Sequence, residues 1–77
     1  MKYLVIEIQH NADGTVGNFV FAYDDRLQAE SKYHSILAAA AISAVYIHSA
    51  VIMSSTGVQI AHQSYTHPTN PEEGAEE

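Results

Sequence analysis

The chain has 77 residues, enough for one domain, and a domain of that size buries only about 60% of its unfolded surface. It has no cysteine, so disulfides and thiol chemistry are excluded, and its three basic residues argue against a surface that grips nucleic-acid phosphates. The net charge of -6 is uneven: Glu72, Glu73, Glu76 and Glu77 lie in 66–77, while Lys2, Arg26 and Lys32 face five acids elsewhere, leaving the body at -2.

The opening "MKYLVIEIQH" does not read as a signal peptide, because Glu7 breaks the apolar run early and no small-residue cleavage site follows. Residues 3–9 and 16–23 are β-branched and apolar, and both are expected to be strands. Between them stands Asp13-Gly14, a strong signal for a two-residue hairpin turn. That turn pairs Ile8 with Phe19, Ile6 with Phe21 and Leu4 with Tyr23, placing six large apolar side chains on one face. A calcium loop through Asn11, Asp13 and Gly14 fits worse. It would open on Gln9 and close on Val20, where aspartate and a bidentate glutamate belong.

A helix should follow from Asp24 or Asp25 to about Ser43. Asp25 can cap it, with Gln28 three residues on. Ala29, Tyr33, Ile36, Leu37, Ala40, Ala41 and Ala44 share one face. A helix of this length spans roughly 28 Å, and eight strand residues span roughly 26 Å, so one helix covers one sheet. The stretch "ILAAAAISAVYIHSAVIM" is not a membrane span: alanine adds little to insertion, and Ser43, His48 and Ser49 oppose it.

The third and fourth strands are "AVYIHSAVIM" and "VQIAHQSY", joined through "SSTG". With Thr56-Gly57 as the loop, Met53 faces Ile60, Val51 faces His62, Ile52 meets Ala61 and His48 meets Tyr65. The expected architecture is therefore α+β: ββαββ, a four-stranded antiparallel sheet with one helix on one face. Strand order 2-1-3-4 is favoured over 1-2-4-3 because it centres the apolar first strand. The domain should occupy 1–65. Residues 66–77, with Pro68, Pro71 and four glutamates, should form a disordered acidic tail that serves solubility or docks a basic partner.

No Asp, Glu, Lys or Arg occurs from Tyr33 to Pro71. Edge strands usually carry lysine, proline or a bulge against stray pairing, and 45–65 show none beyond the turn glycine. The second hairpin is thus expected to be covered by a second copy or a protein partner. The contact residues would be Ile42, Tyr46, His48, Ala50, Ile52 and Tyr65. A small sheet with a mildly apolar open face is the simpler alternative.

His10, His34, His48, His62 and His67 invite a metal, but His48 and His62 fall on opposite faces and no helical His-x-x-x-His pair exists. The serines lack an elbow or a spaced base, and "DGTVG" precedes no helix. No catalytic residue, cofactor or metal site is assigned, and the chain is not expected to be an enzyme.

The segments "KYLVIEIQ", "NADGTVGNFVFAYDDR" and "AESKYHSILAAAA" resemble short uncharacterised proteins encoded in prophage-like regions of gut bacteria, over residues 2–65. The resemblance implies a bacterial cytoplasmic or phage-encoded accessory protein and brings no site residues with it. The expected function is a small protein–protein interaction domain. Two alternatives stay open: an inhibitor of a host protein that mimics an acidic surface, and a histidine-based metal or small-ligand module.

Overall fold

In the computed structural model, residues 2–67 are described. They form β1 (Tyr3–His10), β2 (Val16–Tyr23), α1 (Arg26–Ala41), β3 (Ile47–Ser54) and β4 (Gln59–Thr66). The sheet is antiparallel throughout, in the order β2-β1-β3-β4, and α1 packs across one face. This is the expected ββαββ arrangement in the favoured order. Thr66 closes β4, and the His67 N–H donates to the Tyr46 carbonyl. Of the acidic tail expected over 66–77, residues 68–77 lie outside the described residues.

The helix begins where its cap allows. Asp25 is extended at φ -107° and its carboxylate accepts from the Leu27 N–H at 3.1 Å. It ends at Ala41, two residues before Ser43, with the Ile42 and Ser43 N–H groups bonded to the Ala39 and Ala40 carbonyls. Ala29, Tyr33, Ile36 and Ala40 are buried, whereas Ala41 and Ala44 are exposed because the helix stops. Fully buried Ala29 and Ala40 let the helix axis approach the strands closely. The core is Val5, Ala29, Tyr33, Ile36, Ala50 and Ile52, flanked by Tyr3, Phe21, Tyr23, Leu37, Ile60 and Ala61. Each large aliphatic group so buried stabilises by about 1.5–3 kcal/mol.

The register of the first hairpin differs from expectation by one residue. Val5 pairs with Phe21, Ile6 with Val20 and Ile8 with Asn18. The six-residue apolar layer is consequently divided: Phe19, Phe21 and Tyr23 face the helix with Tyr3 and Val5, while Leu4, Ile6 and Ile8 face away. The loop is the cause. Asn11 N–H donates to the Thr15 carbonyl at 2.8 Å and Gly14 N–H to the Asn11 carbonyl at 3.0 Å, which encloses Ala12, Asp13 and Gly14. A two-residue turn needs positive φ at both central positions. Here only Gly14, at φ +93°, adopts it, and Asp13 is spared the left-handed region. Its carboxylate instead accepts from the Thr15 N–H at 2.9 Å and the Thr15 hydroxyl at 2.7 Å. Both bonds fall on Oδ1, so the Asp13 carboxylate serves to close its own turn.

The second hairpin repeats the same loop, with Gly57 at φ +95° and Ser54 N–H bonded to the Val58 carbonyl. A bulge then takes up one residue: Met53 pairs with Gln59 but Ile52 with Ala61. Ile52–Ala61, Val51–His62 and His48–Tyr65 are therefore paired as expected, Met53–Ile60 is not, and Ile60 packs toward the core. The edge strand β4 thus carries a bulge that its sequence did not disclose. Since Gly14 alone supplies the turn's positive φ, Gly14→Ala should cost about 1–2 kcal/mol in urea unfolding. Gly17→Ala, at ordinary φ with open space around its Cβ, should cost less than half that.

Candidate functional site

The register leaves one face of the sheet without a roof. From β1 it presents Leu4, Ile6, Ile8 and His10; from β2, Val16, Asn18, Val20 and Ala22. From β3 come Ile47, Ser49, Val51 and Met53, and from β4 His62, Ser64 and Thr66. These positions alternate with Val5, His48, Ala50, Ile52 and Ser54, all buried under the helix. No Asp, Glu, Lys or Arg occupies the open face. Its apolar residues span β2, β1 and β3, and Ser49, Asn18 and the outward side chains of β4 form a polar border. Val20 is 58% exposed, and the central-strand residues are half-buried only by one another.

A second feature lies where the helix ends. Glu7, inward-facing on β1, and His48, inward-facing on β3, meet at 2.6 Å between Oε2 and Nε2. Gln9 Nε2 donates to the same carboxylate oxygen at 3.0 Å, and the Ser43 hydroxyl lies 2.9 Å from His48 Nδ1. His48 is 4% exposed. Burial by itself would raise the Glu7 carboxyl. Hydrogen bonds from Gln9 and His48, with the positive potential of His48 and Lys32, outweigh it and hold the group below its ordinary value. Nearby, His67 Nε2–H donates to the Ala40 carbonyl at 2.7 Å, and its N–H to the Tyr46 carbonyl at 2.7 Å. These bonds tie β4 to the helix C-terminus and to the entry of β3.

Glu7, His48 and Ser43 follow the acid–base–nucleophile order of hydrolases, with Ser43 just beyond the helix end. The Ser43 oxygen accepts the Val45 N–H at 3.3 Å and sits at the negative end of the helix, where a developing oxyanion would be repelled. No cavity opens among the described residues. The arrangement is a satisfied buried polar network, and no buried side-chain nitrogen or oxygen among the described residues lacks a partner.

The six residues expected to make contacts divide between surfaces. His48, Ala50 and Ile52 are buried beneath the helix, and Tyr65 is half-buried on that same side. Ile42, 88% exposed beyond the helix end, and Tyr46, partly exposed and edge-on to His10, remain at the surface. The free residues of β3 are the alternate set, Ile47, Ser49, Val51 and Met53. His48 and His62 lie on opposite faces, and among the described residues no three potential ligands converge on a metal. No helix among the described residues is long and apolar enough to cross a membrane. No family model, curated protein or solved structure matches the chain.

Proposed function

We propose that this chain is a non-enzymatic protein-contact domain whose working surface is the open face of its sheet. One observation carries the reading: a face built from Leu, Ile, Val and Met on three adjacent strands, free of formal charge, in a chain of net charge -6. Exposed apolar patches of this extent mark interaction sites more often than inert surface. The likeness of residues 2–65 to short prophage-encoded proteins supports a bacterial cytoplasmic setting and an accessory role. Mimicry of an acidic surface finds less support, because the described charges are scattered and several are paired, Lys2 with Asp24 and Arg26 with Glu30.

A photoreactive side chain incorporated at Val51 should yield protein adducts in cells. The same group at Ser35, exposed on the helix, should yield few. Equal adducts from both positions, or none from Val51, would overturn the reading.

A further inference from the structure

We propose that a second copy of this chain covers the open face, sheet against sheet about a twofold axis, to give a four-layer α–β–β–α dimer. The inference rests on the protein-contact reading and names its partner.

Area is the first argument. Four strands about 4.8 Å apart and eight residues long at about 3.4 Å each give a flat footprint of roughly 500 Å². Side-chain relief raises that toward the roughly 600 Å² per partner at which stable interfaces begin. Sheets of this kind stack about 10 Å apart at roughly -30°, so a four-stranded sheet is matched in outline by its own copy.

Charge is the second argument. A twofold contact sets a patch against itself, so any net charge on it meets its own sign. The folded body carries a modest net -2, and its strands leave the open face without Asp, Glu, Lys or Arg, so a twofold contact there sets no like carboxylates or ammonium groups against each other. Ile6 and Val51, paired across β1 and β3, stand at its centre, while Asn18, His62 and Ser64 lie toward its borders. An apolar centre within a polar rim is the usual anatomy of a homodimer contact. The third argument is the core. One helix covers one face of the sheet, and a second sheet supplies the missing layer that a small chain cannot build from its own length.

Sedimentation equilibrium of the full chain at about 100 µM, well above the micromolar limit for interfaces of this kind, should return twice the 8.4 kDa chain mass. Val51→Lys should return the single-chain mass with unchanged far-UV circular dichroism. If it fails to fold, Val51→Thr should weaken association at least tenfold, and isotope-filtered NOEs should connect the Ile6 and Val51 methyls between chains. A single-chain mass for the natural sequence overturns the dimer. So does a dimer that persists in folded Val51→Lys, because the contact would then be an edge strand. Adducts from Val51 to a different protein, with a single-chain mass, would sink the dimer and leave the protein-contact reading standing.

Discussion

Val5→Asp should abolish the fold, while Ile6→Thr, one residue along the same strand, should leave it intact. Val5 is fully buried, pairs with Phe21 on one side and Ile52 on the other, and lies beneath the helix. A carboxylate there has no partner, and the cost of burying it, several kcal/mol, matches the entire stability of a domain this small, about 3–10 kcal/mol. Ile6 pairs with Val20 and Val51 on the open face. Threonine keeps its β-branch, so the change should cost about 1 kcal/mol. Far-UV circular dichroism and urea midpoints would separate the two outcomes. The pair also reports the register directly: had β1 and β2 paired one residue over, Ile6 would be the core residue and the effects would reverse.

That reversal marks how far the sequence could be read. The strands, the helix and the strand order follow from composition breaks, from the Asp25 cap and from the apolar first strand, and all are found. Register was beyond reach because β1 is apolar on both sides, Val5 on one and Leu4, Ile6 and Ile8 on the other. Alternation cannot choose between two apolar faces, so a local preference decided: Gly14 accepts positive φ and Asp13 avoids it. In the second hairpin the bulge at Ile60 cancels the same loop's offset, which is why most of its pairs fell as expected. Parity on β3 was equally hidden: His48, Ala50 and Ile52 lie beneath the helix, and Ile47, Ser49, Val51 and Met53 lie on the open face. Glu7 and His48 stand 41 positions apart and meet only because β1 and β3 are neighbours. The readable sign was Glu7 itself, an acid within an apolar strand that needs a partner.

Severing that pair from one side should cost more than removing it altogether. Glu7→Leu leaves His48, almost without exposure, bonded only to Ser43; His48→Leu leaves Glu7 with Gln9 alone. Each single change should cost about 2–4 kcal/mol. The double change should cost clearly less than their sum, because a buried pair replaced by apolar groups loses its desolvation penalty as well. Acid makes the same cut without mutation. The Glu7 carboxyl is held below its ordinary 4.5, so its contribution is complete above that pH and disappears as pH falls through the lower folded value. Asp13, held down by the Thr15 hydroxyl and amide, titrates in the same direction. Glu7→Gln should therefore flatten, though not erase, the loss of stability below pH 4.5. An acid limb as steep in Glu7→Gln as in the natural chain would show that the carboxylate–imidazole contact does not hold the two central strands.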